Sequence, residues 1–127
     1  MNTYALLMRV APRNPSYLAG SLQSLEESGA LSFPRQLPCI LSSTTPDASF
    51  LVQDRIRERF PFASILLPER EVSGIENAIN TLYLASSLDV THVILCEDDI
   101  AFARGWMQYL DEWVRYFMLA EGVWGTL

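Results

Sequence analysis

The sequence is poor in positive charge, in cysteine and in histidine, and each shortage excludes a class of protein. Nine basic residues against fifteen acidic ones give a formal net charge of −6, which argues against nonspecific nucleic-acid binding because phosphates require a basic surface. The two cysteines, Cys39 and Cys96, lie in apolar stretches without the spacing of a disulfide framework, so we expect free, buried thiols. The single histidine, His92, lies within an apolar run and is interpreted as a core residue, and no cysteine or histidine spacing suggests zinc.

Long hydrophobic runs and targeting signals are also missing. No stretch approaches the roughly 20 apolar residues of a membrane span. The N-terminal apolar run lacks the basic residues and the small-residue cleavage site of a signal peptide. Together with the thiols, this predicts a cytoplasmic location. A glycine-rich phosphate loop and a serine in a nucleophile elbow are absent too, which excludes two common kinds of enzyme.

What the chain has is enough apolar residues for one core and a regular alternation of strand and helix patterns. Half of the 127 residues are apolar, and we expect a single domain over residues 1–127. Short apolar runs predict strands over Thr3–Ala11, Leu37–Ser43, Ala63–Pro68 and Thr91–Cys96. Between and after them, helical spacing predicts helices over Ser16–Gly29, Ser49–Phe60, Ile75–Asp89 and Arg104–Met118.

Each predicted helix carries an apolar stripe that we expect to face the core. In the last three helices the stripes are Leu51, Val52, Ile56 and Phe60, then Ile75, Ala78, Ile79, Leu82 and Ala85, then Trp106, Leu110, Trp113 and Phe117. The resulting βαβαβαβα order predicts an α/β fold with a mostly parallel sheet and helices on both faces, a Rossmann-like three-layer sandwich.

Three consecutive acids, Glu97, Asp98 and Asp99, follow the fourth predicted strand directly. Open parallel sheets bind ligands beyond the carboxyl ends of their strands. Two interpretations stay open: a solvated turn in which Asp99 caps the next helix, or a cation site. The second is favoured because no glycine or proline makes an ordinary turn there. Carboxylates suit Mg²⁺ or Mn²⁺, whose shell a substrate phosphate completes.

Polar residues also mark the other predicted strand ends. Arg9 and Arg13, around the end of the first strand, could bind phosphate, and Ser43 is one of several hydroxyls after the second that could bind a ribose or base. Asn77 and Asn80 are three residues apart on the third helix, so we expect them to share one face. The ordinary alternatives are surface arginines, loop hydroxyls and amides that bond a neighbouring loop.

Two longer motifs connect these elements. The first strand leads into "RVAPRNPSYLAGSLQSL", and the third helix leads into "GIENAINTLYLASSLDVTHVILCEDDI". In this order and spacing they resemble the nucleotide-sugar-binding half of glycosyltransferases with the GT-A fold, particularly those of the family 2 type. The acids then stand at the DXD motif, in its EDD form. The resemblance covers nearly the whole chain.

The resemblance implies roles for individual residues. Asp99 would bind a divalent cation, Mn²⁺ or Mg²⁺, that bridges the diphosphate of a UDP- or GDP-linked sugar, and Glu97 would contact the ribose or the metal shell. The nucleotide-sugar-binding set, with Ser43 added from the strand-end argument, is Val10, Ala11, Arg13, Ser43, Asn77, Glu97 and Asp98. Two departures from the family pattern are the glutamate at the first motif position and the hydroxyl residues where many relatives have an acid after the second strand.

The implied function is metal-dependent transfer of a sugar, of the hexosyltransferase type, to an acceptor. Complete relatives continue well past the DXD strand, so the domain is expected to be incomplete at its C-terminus. The alternative is a non-catalytic nucleotide-binding or protein-interaction module, and a domain of the response-regulator type is weaker because that group draws its acids from two strands. A second copy or a partner chain is expected to cover the apolar segment "YFMLAEGVWGTL".

Overall fold

The computed structural model describes residues 2–32 and 35–120, with side chains up to Phe117. Its four strands are β1 (Tyr4–Val10), β2 (Cys39–Ser43), β3 (Ala63–Leu66) and β4 (His92–Glu97). Its five helices are α1 (Leu18–Glu27), α2 (Ser49–Gln53), α3 (Ile56–Arg59), α4 (Gly74–Ser86) and α5 (Trp106–Ala120).

The four strands form one parallel sheet in the order β3-β2-β1-β4. The prediction of an α/β fold with a parallel sheet is confirmed. The chain builds outward from β1 to β3 and then returns to the other side of β1, so the strand order reverses between β1 and β4. In the register of the sheet, Arg9 on β1 lies between Ser42 on β2 and Glu97 on β4.

The core lies on one face of the sheet. Successive strand residues point to opposite faces, and the even-numbered residues of β1 are all buried in this core. Leu18, Leu22 and Leu25 of α1 pack against them, as their helical spacing predicts. The later helices α2, α3 and α5 contribute Leu51, Ile56 and Met107. Burial of each such side chain contributes about 1.5–3 kcal/mol.

Helix α4 lies over the other face, and its predicted orientation is wrong. Its buried residues are the polar Asn77 and Thr81, whereas Ile75, Ile79 and Leu82 are exposed. Asn77 bonds the end of β2, and these bonds set the rotation of the helix about its axis. Helical periodicity finds an apolar stripe, but it does not show which surface that stripe meets.

The second predicted helix is two helices, so the prediction of one continuous helix is wrong. It is interrupted at Asp54 and Arg55, and Arg55 has left-handed backbone angles (φ 54°, ψ 42°). The break reorients α3 relative to α2. Leu51, Ile56 and Phe60 are therefore buried as expected, while Val52 is 71% exposed.

Helix α5 begins close to its predicted start, and only part of its stripe packs as expected. Trp106 and Leu110 pack against the core, but Trp113 is 55% exposed and stacks on Phe117 at 5.0 Å between ring centroids. The aromatic face is thus partly on the surface, which corrects the predicted stripe. The apolar segment "YFMLAEGVWGTL", which we expect to meet a partner, begins at Tyr116. Most of it lies beyond Phe117, the last residue whose side chain is described.

The residues that were scarce in the sequence have ordinary structural roles. Cys39 is buried, Cys96 is half-buried, and both are free thiols as expected. His92 is half-buried and stacks on the Tyr4 ring at 5.4 Å between centroids. Over the part of the chain that the structure covers, no helix has the length and apolar character to cross a membrane.

Candidate functional site

Arg9 and Glu97 form an ion pair at the carboxyl end of the sheet. They are register partners on adjacent strands, so their side chains leave the same face side by side. The Nη2 atom of Arg9 donates to Oε1 of Glu97. Both side chains are partly exposed, so water screens the pair and its contribution to stability is small.

Asp98 is the buried centre of the acid cluster, at 1% exposure. The Nε atom of Arg13 lies 3.0 Å from Oδ1 and 3.2 Å from Oδ2, and its hydrogen points to Oδ2. The backbone N–H of Ala11 also reaches Oδ2, at 3.4 Å. The hydrogen bond to Asp98, and then the negative charge of the Asp98 carboxylate, raise the pKa of Arg13.

Two buried polar atoms at this end of the sheet remain without a hydrogen-bond partner among the described residues. They are Oδ1 of Asp98 and Nε of Arg9. Buried polar groups in proteins are almost always bonded, to protein or to another group, because an unpartnered one costs about 1–3 kcal/mol. Oδ1 of Asp98 nevertheless lies 3.0 Å from Nε of Arg13 within their ion pair, so its charge is paired although the hydrogen points to Oδ2.

The turn that carries Asp98 is fixed by α1. The Ser21 hydroxyl lies 2.7 Å from the carbonyl oxygen of Asp98 and 2.6 Å from that of Ile100, and Ser21 is buried. Its single hydrogen can be donated to only one of the two at a time. This contact could not be predicted, because serine on a helix is common and the partners of Ser21 lie far along the chain.

Asp99 is exposed, and its carboxylate makes no hydrogen bond or ion pair with any residue that the structure describes. Helix α5 begins only at Trp106, so the interpretation that Asp99 caps the next helix is wrong. The Asp99 carboxylate thus stands unpaired among the described residues, next in sequence to the ion-paired Asp98.

Asn77 is buried because it bonds the end of β2. Its Oδ1 accepts the Ser42 hydroxyl at 2.9 Å, and its Nδ2 donates to the Ser42 carbonyl at 3.1 Å. Asn80, three residues further along α4, is exposed and does not share this buried position. Ser43 is the register partner of Val10 in the sheet, but its side chain is buried and its hydroxyl donates to the Thr45 carbonyl at 3.0 Å, so it does not line the groove that holds the other predicted residues.

Five of the predicted site residues line one groove of about 470 Å³. They are Val10, Ala11, Arg13, Asn77 and Glu97. The opposite side of this groove is apolar and comes from α4, through Ile75, Ile79 and Leu82. The helical spacing of these three residues correctly identifies an apolar stripe, but we assigned that stripe to the core, whereas it lines the groove.

The carboxylates of Asp98 and Asp99 are the groups at this end of the sheet that could hold a cation. Oδ1 of Asp98 and the free carboxylate of Asp99 supply oxygen, which Mg²⁺ and Mn²⁺ prefer. Glu97, the other predicted ligand, is held by Arg9. No group of three or more His, Cys, Asp or Glu side chains suited to a metal is present in the described ranges.

Comparison of the chain with protein-family models, with curated proteins and with solved structures finds no match in any of the three. The groove itself has two chemically distinct sides. Arg9, Arg13 and Glu97 make one side charged, and the α4 residues make the other apolar. Such a combination suits a ligand with an anionic part and an apolar part.

Proposed function

We propose that this chain is a GT-A-type glycosyltransferase domain that binds a nucleotide-diphosphate sugar, with Mn²⁺ or Mg²⁺, in the groove. One observation carries the proposal: the groove and the acid cluster lie at the carboxyl ends of β1 and β4, where the strand order reverses. Open parallel sheets bind nucleotides at this point, and the order β3-β2-β1-β4 equals that of the first four strands of the doubly wound dinucleotide-binding sheet. As part of the same proposal, we describe the fold more finely as a Rossmann-like three-layer sandwich.

The two sides of the groove suggest how the donor would lie. The base would lie between the end of β1 at Ala11 on one side and the apolar α4 residues on the other, while the Val10 side chain stays buried in the core. The phosphates would then reach Arg9 and Arg13. Both guanidinium groups are paired with carboxylates in the structure, and phosphate oxygens are strong competitors for arginine.

Asp98 and Asp99 would hold the cation beside the phosphates. When bound, a divalent cation neutralises the diphosphate and stabilises it as a leaving group. Release of Arg13 to a phosphate would leave both oxygens of Asp98 available, and Asp99 needs no rearrangement because its carboxylate is already free. Ser21 keeps the Asp98 backbone in place throughout.

The reaction we propose is sugar transfer of the hexosyl type to an acceptor, as the family resemblance implies. A second candidate, a non-catalytic nucleotide-binding module, is favoured by one observation. The titratable side chains that line the groove within the described residues are Arg9, Arg13 and Glu97, and Glu97 is ion-paired. A free general base for an acceptor is therefore not among them. The free thiols of Cys39 and Cys96 support a cytoplasmic location as part of the proposal.

Calorimetric titration of UDP and of GDP, each with and without Mn²⁺, tests the binding. We expect binding that requires Mn²⁺ and is about tenfold weaker or worse in Asp99→Ala, the equivalent of about 1.4 kcal/mol. Asp89→Ala is the matched control, because Asp89 is an exposed aspartate outside the groove, and it should bind as the wild type does.

If neither UDP nor GDP binds at millimolar concentration with Mn²⁺ present, the proposal is overturned. Equal effects of the two aspartate variants would show that the acid cluster is not the cation site. Turnover of a UDP- or GDP-linked sugar to free nucleotide then separates the enzyme from the binding module.

A further inference from the structure

The segment between β4 and α5, residues 98–105, lies against one face of α1. This linking segment contains no helix or strand, so its backbone groups depend on bonds to other parts of the protein. Ser21 and Ser24 of α1, and Ser28 directly after the helix, are spaced three and four residues apart and therefore share that face.

Ser24 and Ser28 bond the later part of the linking segment. The backbone N–H of Phe102 donates to Oγ of Ser24 at 2.9 Å. The indole N–H of Trp106, at the start of α5, donates to Oγ of Ser28 at 3.0 Å, and the backbone N–H of Gly105 donates to the Ser28 carbonyl at 3.3 Å. The linking segment is thus held at its end near α5 as well as at its beginning.

The direction of these bonds follows from what the two serine hydroxyls already do. Oγ of Ser24 donates to the Ser21 carbonyl at 2.8 Å, and Oγ of Ser28 donates to the Leu25 carbonyl at 2.6 Å. Because a hydroxyl has one hydrogen and two lone pairs, both side chains remain acceptors, which is what a backbone or indole N–H requires. Serines that bond the backbone of their own helix do not stabilise it, so helix propensity does not account for them.

Asp99 depends on the linking segment for its position. The carboxylate of Asp98 is held by Arg13 and by the backbone N–H of Ala11. That of Asp99 has no hydrogen bond or ion pair within the part of the chain that the structure covers. The backbone on either side of Asp99 therefore determines where its carboxylate stands.

Ser21 alone does not fix this backbone on both sides of Asp99. Its hydroxyl lies near the carbonyls of the residues before and after Asp99 but donates to only one of them at a time. The bond from Phe102 to Ser24 is the next fixed point along the chain.

We propose that Ser24 and Ser28 are positioning residues, whose hydroxyls hold the linking segment on α1 and thereby fix where the Asp99 carboxylate stands. Neither serine lines the groove, so each acts only through the segment. The inference deepens the proposed function and rests on it, because Asp99 is there a ligand of the cation. The position of the segment can also be measured without a ligand, which separates a failure of this inference from a failure of the proposed function.

The double variant Ser24→Ala and Ser28→Ala, with each single variant beside it, tests the proposal. It removes both acceptors and leaves the helix backbone intact. In native-state hydrogen exchange, the Phe102 amide should exchange about threefold to tenfold faster, which corresponds to one lost hydrogen bond. In NMR spectra, the amide signal of Asp99 and the indole N–H signal of Trp106 should shift or broaden, while the amide signals of β1 stay in place.

Ser86→Ala is the matched control. Ser86 is an exposed helix serine whose hydroxyl makes the same kind of bond, to the Tyr83 carbonyl at 2.6 Å, and it bonds no other segment in the described ranges. Its variant should leave the linking segment unchanged. Ser24→Thr keeps a hydroxyl and should restore the slow exchange of the Phe102 amide. Circular dichroism reports whether each variant is folded.

Calorimetric titration of UDP with Mn²⁺ gives the functional readout. In the folded double variant we expect binding about threefold to tenfold weaker than in the wild type, with Ser86→Ala unchanged. If the wild type binds no nucleotide, the proposed function fails, and the Phe102 exchange and the Asp99 signal still decide this inference.

Unchanged exchange of the Phe102 amide and an unchanged Asp99 signal in the double variant would overturn the proposal. Equal changes in Ser86→Ala would overturn it too, as would full UDP affinity in a double variant whose Asp99 signal has moved. Faster exchange at Phe102 together with a moved Asp99 signal, both restored by Ser24→Thr in the single position, supports it.

Discussion

Replacement of Asn77 by alanine should destabilise the protein far more than an asparagine on a helix surface would. Asn77 is 2% exposed and makes two hydrogen bonds to Ser42, one through each atom of its amide. These bonds attach α4 to the end of β2. They also set the rotation of α4 that places Ile79 and Leu82 along the groove.

The magnitude follows from what Asn77→Ala leaves behind. The hydroxyl and the carbonyl of Ser42 both lose a buried partner, and each such loss costs about 1–3 kcal/mol. Because water can enter part of the vacated volume, we expect the free energy of unfolding to fall by about 2–4 kcal/mol. Ser42→Ala breaks only one of the bonds and should cost about 1–2 kcal/mol.

Urea unfolding followed by circular dichroism gives the free energies. Asn80→Ala is the control, because Asn80 is an exposed asparagine of the same helix and its change should stay within about 0.5 kcal/mol. The double variant of Asn77 and Ser42 should cost less than the sum of the single variants, since they share a bond. Equal stability of Asn77→Ala and Asn80→Ala would refute the role given to the buried amide.

Three further predictions concern groups outside the groove. Burial raises the pKa of Cys39 and of Cys96 to about 12. At pH 8 the thiols of the folded protein should therefore react with iodoacetamide far more slowly than those of the urea-unfolded chain. Equal reaction rates would contradict this. Burial and the bond to Asp111 raise the pKa of Tyr4 above the unfolded value near 10. The folded state therefore keeps its proton longer, the free energy of unfolding should fall as pH rises above about 10, and Tyr4→Phe should reduce that decline. Ser21→Ala should cost about 1 kcal/mol in urea unfolding, and no change would contradict its role at the Asp98 turn.

The strands could be predicted because their signal is local. Apolar runs bounded by breakers gave all four, and alternation with helices gave the parallel sheet. The break at Arg55 could not be predicted, since nothing in the local pattern favours a left-handed residue there. The rotation of α4 was also beyond a periodicity argument, because it depends on bonds between Asn77 and a residue far away in the chain.

The candidate site was predictable in position and less so in detail. The sequence places Arg13 after the first strand and the acids after the fourth. Because the carboxyl ends of these two strands are adjacent in the sheet, Arg13 and Asp98 meet. The pairing of Arg9 with Glu97 follows from the sheet register, which the sequence does not state. The inward turn of Ser43 likewise depends on the loop after β2, where its hydroxyl bonds the backbone of Thr45.

Paramagnetic broadening by Mn²⁺ in the presence of UDP tests most directly whether the acid cluster binds a metal–nucleotide complex. In a two-dimensional NMR spectrum, the amide signals of Glu97, Asp98 and Asp99 should broaden first, followed by those of Ala11 and Arg13. Amides at the opposite end of the sheet should stay sharp. Unchanged signals at Glu97–Asp99 while signals elsewhere broaden, or no broadening at all with UDP and Mn²⁺ in excess, would contradict the proposed site.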